Sequence, residues 1–368
     1  MKKVLVFTIV LAAAFLLSTY SLALDLSESQ SDSLGIPELE ESIPESAEDI
    51  LGSVKVSDDT GSAGARILEA VFGNLGDVFK SALKSGAAII LIAVIFSMAG
   101  AFFTPKPGAP DYTVLAASLA VAAVAAGNTL SFMGLGKEVI NELDVFSKTL
   151  LPTLAAASAA TGNLSSSAAM YAATVLFMNV LVSMASTFVV PLIYAYTASA
   201  AAGAALGDSS LTAVAGFIKW AVMTALTALT IAFTVYLTVT GVISNTADAV
   251  TAKVAKTAVS ALLPVVGGMI SDAAGTVASS ISVLKNAVGV FGLIVIAAVC
   301  AEPFLRLSVH YLVFKAVSAL ISPIADPRIG KLVSAIATSL GLILGVAGTL
   351  AIMFFISVIS VLKAVTVF

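Results

Sequence analysis

Charged residues divide the chain into long apolar stretches separated by short polar segments. Stretches without charge cover residues 85–103, 112–135, 166–206, 220–244 and 332–362. A helix needs about 20 apolar residues to cross the hydrocarbon core of a bilayer. The pattern therefore predicts an all-α, polytopic membrane protein with about six to eight membrane helices, formed by residues 85–368.

Two parts of this pattern contain a possible break. The 41 uncharged residues 166–206 would form a helix of about 60 Å, against a hydrocarbon core of about 30 Å. Two spans that separate near residues 186–191 are therefore predicted. Farther on, Pro303 lies between the apolar stretches 287–301 and 307–321 and is a candidate helix break.

The N-terminus has the pattern of a signal peptide, residues 1–23. Lys2 and Lys3 precede an apolar stretch at residues 4–17, and Ser21-Leu22-Ala23 supplies small residues at a cleavage site. The apolar stretch is shorter than a spanning helix. Cleavage after Ala23, or an uncleaved anchor, would place the following segment outside the cytoplasm.

That following segment, residues 24–63, is acidic. Eleven of the chain's 22 acidic residues lie between Asp25 and Asp59, and the segment has no aromatic residue and no clear period. It is predicted to be disordered or weakly helical, with its charges solvated. Residues 64–84 then place apolar side chains three or four positions apart, as an amphipathic helix does.

The composition supports the membrane assignment and excludes several classes of site. The chain is 59% hydrophobic and 11% charged, whereas soluble domains carry about 25% charged residues. One cysteine, Cys300, and one histidine, His310, cannot form a disulfide, a thiolate metal cage or a multi-histidine site. No phosphate-binding loop or H-E-x-x-H motif occurs. The sequence predicts no enzyme, no metal and no cofactor.

The charged residues near position 306 are the best candidates for chemistry. Glu302, Arg306 and His310 are four positions apart and would form one stripe on a helix. Charges at membrane depth are costly, so the stripe is a candidate ion or proton relay. The alternative is a short interfacial turn whose charges lie among the lipid headgroups.

Two glycine motifs are candidates for structural roles. Pro264 with Gly267 and Gly268 would form a gating hinge, a re-entrant loop or a simple turn between helices. Gly341 and Gly345 have the GxxxG spacing that allows close packing of membrane helices.

The C-terminal third resembles a known family, the stage III sporulation protein AE family of endospore-forming bacteria. The matching pieces are Leu263-Pro264-Val265-Val266-Gly267-Gly268, Ser271-Asp272-Ala273, Lys285-Asn286-Ala287-Val288-Gly289, Pro303, Leu305-Arg306-Leu307, Pro323-Ile324 with Asp326 and Arg328, and Met353-Phe354-Phe355-Ile356. Upstream, the signal peptide, polar segment and apolar spans follow the same plan. Glu302 departs from the pattern, because an apolar residue or proline is expected there.

The resemblance implies a function that composition does not show. Members of this family are polytopic subunits of a channel or feeding-tube-like complex in the mother-cell membrane around the forespore. An ATPase, ring-forming subunits and a forespore membrane partner belong to the same complex, which supports late forespore gene expression. This chain would be the export-gate-like membrane part and not the motor.

Two other functions stay open at this point. A stand-alone secondary transporter would have an inverted repeat and paired broken helices, and the chain shows Pro/Gly breaks near Pro191 and Pro264 without a repeat. An intramembrane enzyme would need paired carboxylates or a second histidine. The composition does not support nucleic-acid binding, because the basic residues are scattered.

Overall fold

The computed structural model describes residues 34–58, 62–102, 112–160, 164–239 and 267–363. All regular structure in these ranges is helical. The helices are α1 Ile36–Glu41, α2 Glu45–Leu51, α3 Ala63–Phe102, α4 Tyr112–Ala160, α5 Leu164–Met184, α6 Val190–Leu206, α7 Ser209–Val239, α8 Gly267–Ile321 and α9 Pro327–Lys363. The predicted signal peptide and Pro264 lie outside the described residues.

The prediction of an all-α membrane protein is confirmed. In the described residues, six helical stretches are long and apolar enough to cross a membrane, and α5 with α6 counts as one of them. This number is the lower limit of the six to eight that the apolar pattern predicts. Each stretch is longer than the roughly 20 residues that a span requires, so the helices extend beyond a bilayer on at least one side.

Helix α8 lies at the centre of the bundle. It packs against α9, α3 and α4, and α2 contacts it from the N-terminal side. Inside the bundle, 83% of its apolar stretch is buried, whereas the value for the peripheral helix α7 is 17%. The largest fully buried side chains include Phe291 and Phe314 of α8 and Phe354 and Phe355 of α9.

The bundle has two ends that hold different segments. The end at which each helix begins or stops gives the direction in which that helix runs. One end, here called the turn end, holds the turn at Gly207 and the turn at residues 322–326. At this end Ser97 near the C-terminus of α3 donates to the carbonyl oxygen of Ile324 (2.7 Å), and Gly207 lies beside Arg328. The opposite end, the segment end, holds α1 and α2. Helices α3 and α8 therefore run toward the turn end, and α4 and α9 run away from it.

Residues 34–58 form two short helices that pack on the bundle, within a segment, 24–63, that the sequence predicts to be disordered or weakly helical. Ile36, Leu39, Leu51 and Val56 are buried against the bundle. The side chain of Ser46 donates to Glu142 of α4 (2.6 Å). Helices α1 and α2 have six and seven residues, which is less than two turns each. Helices this short are not recognisable from a hydrophobic period in the sequence, and contacts with the rest of the bundle stabilise them.

The candidate break at Pro303 does not end a helix, and α3 extends beyond the amphipathic stretch 64–84. The amphipathic stretch 64–84 and the span after it form one helix, α3, of 40 residues. Pro303 lies inside α8. A proline in a membrane helix is tolerated when neighbouring groups satisfy the carbonyl that it frees.

Residues 166–206 also do not form two separate spans. Helices α5 and α6 are joined by a π-helical segment, Ala185–Val189, and the flanking residues Met184 and Val190 keep right-handed helical dihedrals. The hydroxyl of Ser186 donates to the carbonyl oxygen of Val182, and Pro191 follows at the start of α6. The predicted break is therefore a local widening of one long helix. Gly207, with a φ of 69°, ends that helix in the left-handed region.

Candidate functional site

The charged stripe predicted on α8 is present as a local set of contacts. Glu302 and Arg306 form an ion pair one turn apart, and their side chains are 39% and 45% exposed. This pairing removes much of the cost of two charges at this position. Both side chains reach the surface of the bundle, so the relay and the interfacial turn both stay predictions.

His310 is buried and serves the packing of α8 against α4. Its Nδ1 lies 2.9 Å from the carbonyl oxygen of Arg306. A carbonyl only accepts, so Nδ1 carries the proton in this contact. The ring lies 4.1 Å from the ring of Phe132 of α4, tilted by 47°, and meets Phe314 edge-on at 6.2 Å, both distances being between ring centroids. The histidine thus fills an aromatic contact between two helices.

The candidate glycines differ in their surroundings. A Cβ atom added at Gly341 would come within 2.9 Å of the Tyr311 ring on α8, whereas nothing lies within 4 Å of a Cβ atom at Gly345. Of the two glycines in the GxxxG motif, only Gly341 therefore makes a close contact with a neighbouring helix. Gly267, Gly268 and Asp272 lie in the first two turns of α8, where only the backbone is described.

Other glycines, which the sequence analysis did not single out, bring the central helices together. A Cβ atom at Gly292 of α8 would come within 2.6 Å of both terminal methyl groups of Leu150 on α4. At Gly86 of α3, the same atom would lie 2.9 Å from Val317 of α8. These glycines stand alone, without a partner four residues away, so spacing does not reveal them.

The contact between the N-terminal segment and the bundle was also missed. Besides the Ser46–Glu142 hydrogen bond, Arg66 at the start of α3 donates to the carbonyl oxygen of Leu51 (2.5 Å). The backbone N–H of Val56 donates to Glu40 (2.8 Å). The acidic residue Glu40 therefore has a structural role, whereas the charge run was interpreted as solvated throughout.

Comparison with known proteins gives one family. The model for stage III sporulation protein AE matches residues 46–365. Stage III sporulation protein AE of Bacillus subtilis (strain 168) is 25% identical over 227 residues, which is 62% of this chain and 57% of that relative. The chain thus aligns with less than two thirds of the relative's length. No solved structure matches significantly.

Proposed function

The chain belongs to the stage III sporulation protein AE family, and from this premise we propose that it is a membrane subunit of the sporulation channel complex. The family match carries the proposal, because it spans residues 46–365 and so includes all six apolar helical stretches. In the proposal the complex links mother cell and forespore and supports late forespore gene expression. The chain itself is non-enzymatic.

The proposed topology follows from the predicted signal peptide and from the helix directions. If residues 34–58 are extracytoplasmic, the segment end faces the space between the two membranes and the turn end faces the mother-cell cytoplasm. The uncharged parts of α3 and α4, residues 85–102 and 112–135, adjoin the turn end. The charged part of α3, residues 63–84, would then project about 30 Å beyond the bilayer.

That projecting part of α3 supports a role as a subunit. It carries four large apolar side chains that are exposed, namely Leu68, Phe72, Phe79 and Leu83. Charged residues such as Asp77 and Lys80 lie on the same part of the helix, 85% and 80% exposed, so hydrocarbon is a poor environment for it. Exposed apolar patches rimmed by polar residues are typical of protein interaction sites. We assign this face to the ring-forming subunits and the forespore membrane partner.

The turn end is the proposed contact with the ATPase subunit. Its cytoplasmic position follows from the topology above. The chain would act there as the passive, export-gate-like part of the complex, and the ATPase as the motor.

Deletion of the gene tests the proposal. We expect engulfment to finish normally and a fluorescent reporter of late forespore transcription to fail. Complementation with the wild-type gene should restore the signal. Normal spores and a normal reporter in the deletion strain would refute the complex role. Solute transport by the purified chain alone in liposomes would instead favour a secondary transporter.

A pair of double variants tests the assigned face. Phe72→Asp with Phe79→Asp should abolish co-purification of partner subunits, because two charges would be buried in an apolar interface. Gly73→Asp with Asn74→Asp adds the same charge at exposed positions of the same helix and should retain the partners. Equal membrane levels of both variants are the control. Equal partner yields would refute the assignment.

A further inference from the structure

A polar groove opens at the turn end of the bundle, between α6, α7 and α9. Its volume is about 610 Å³. Small residues of α6, among them Ala200, Gly203 and Ala204, form its floor. The walls come from the first three turns of α7 and of α9. The groove is distinct from the Glu302–Arg306 pair and from the exposed face of α3.

The groove is positively charged. Lys219 of α7 and Arg328 and Lys331 of α9 line it, against one acidic residue, Asp208. One oxygen of the Asp208 carboxylate accepts the backbone N–H of Ser210 (2.7 Å), and its charge offsets only one of the three cations. In the described part of the chain, the ion pairs are Lys80–Asp77, Lys148–Asp144 and Arg306–Glu302. None of them involves a cation of the groove.

The backbone adds to this positive potential. Helices α7 and α9 begin at Ser209 and Pro327, so their N-terminal ends, where the helix dipole is positive, both lie at the groove. Asp208 and Asp326 each accept one of the backbone N–H groups there. Lys219 is ten residues inside a helix that is apolar enough to span the membrane. An ammonium group at such a depth is costly unless it has an anionic partner, and no described carboxylate forms an ion pair with Lys219.

The shape of the groove suits an amphipathic ligand. The cations lie along the same slot as the partly exposed Ala200 of α6, whereas Thr212 and Leu211 of α7 pack directly against Gly203. The outer surface of α7 beside the groove exposes Phe217 and Trp220, at 65% and 60%. Such a surface faces lipid in a membrane protein, so the groove is open to molecules of the bilayer.

We propose that this groove binds an anionic phospholipid. The phosphate contacts Lys219, Arg328 and Lys331, and an acyl chain lies along the exposed apolar surface of α7 at Phe217 and Trp220. Basic pockets between membrane helices recognise anionic headgroups by the same combination of charge and shape. The inference does not depend on the role in sporulation, since it concerns the lipid affinity of the chain alone.

Retention of lipid by the purified full chain tests the proposal. Native mass spectrometry after exchange into mixed micelles of phosphatidylglycerol and phosphatidylcholine should show selective retention of phosphatidylglycerol. Replacement of all three cations by Gln should lower this selectivity on the order of 100-fold, and Lys219→Gln alone about fivefold. The single variant keeps the test valid if the triple variant does not fold.

A second triple variant serves as a matched control. Lys80, Lys148 and Lys315 lie outside the groove, and their replacement by Gln removes the same charge. It should leave the selectivity unchanged. Equal retention of the two lipids by the wild-type chain would refute the proposal, as would equal losses in the two triple variants. Displacement of the lipid by millimolar inorganic phosphate would identify a soluble ligand and also overturn it.

Discussion

Gly292 provides a direct test of how the central helices pack. An added Cβ atom would come within 2.6 Å of both Leu150 methyl groups and within 3.1 Å of Leu150 Cγ. Because Leu150 is 1% exposed, its side chain has little space to move. Overpacking of this kind costs roughly 1–3 kcal/mol, and the better helix propensity of alanine offsets about 1 kcal/mol. Gly292→Ala should therefore lower the free energy of unfolding by up to about 2 kcal/mol.

Leu150→Ala removes all three atoms that the added methyl group would meet. Alone, it should cost about 2–5 kcal/mol, because it leaves a cavity in the core. In the double variant the new methyl group partly fills that cavity. The two changes should therefore be non-additive, with a favourable coupling energy of roughly 1–3 kcal/mol.

The assay is a double-mutant cycle on the purified chain in mixed micelles, with unfolding by SDS followed by far-UV circular dichroism. Gly134→Ala is the matched control, since nothing lies within 4 Å of a Cβ atom there, and it should be neutral or stabilising by up to about 1 kcal/mol. If the Gly292 and Leu150 effects add to within about 0.5 kcal/mol, the close contact between α4 and α8 is not formed.

Three further predictions concern single positions of α8 and α9. Gly341→Leu should lower the thermal midpoint, whereas Gly345→Leu should change it less; equal effects would show that the Tyr311 contact is not formed. Glu302→Gln should destabilise the chain by at most about 1 kcal/mol, because its pair with Arg306 lies at the surface of the bundle; complete unfolding would contradict this. His310→Phe should preserve sporulation, since the ring packs between aromatic side chains; loss of the late reporter with a normally folded protein would support the relay hypothesis.

The sequence predicts the helical membrane class well, because a long apolar stretch without charges indicates a helix that is surrounded by lipid or by other apolar helices. It predicts the helix ends poorly. Gly86 follows Lys84 closely, but it does not end the helix, because it allows α3 to pack against Val317 of α8. The change from amphipathic to apolar there therefore marks a change of environment within α3. In the same way, Pro303 is tolerated inside α8, where the packing of neighbouring helices outweighs local propensity.

The candidate sites depend on which helices are neighbours, and spacing along one helix does not contain this information. Glu302 and Arg306 are found because they lie on one helix. The cationic groove is missed because Lys219 is more than 100 residues from Arg328 in sequence. In the sequence, Lys219 only precedes the uncharged stretch 220–244, and Arg328 enters only as part of the family resemblance.

The π-helical segment between α5 and α6 determines how far the α6 half of the long helix is rotated about the helix axis relative to the α5 half. Each α-helical residue turns the chain by about 100°, and a π segment contains one residue more than the α-helix that it replaces. The α5 half directs Phe177 toward Tyr236 of α7, with ring centroids 4.7 Å apart. The α6 half directs Thr197 toward Ser339 of α9 (2.8 Å). Deletion of one residue from this segment would restore a regular helix, and only one of these two faces would then meet its partner.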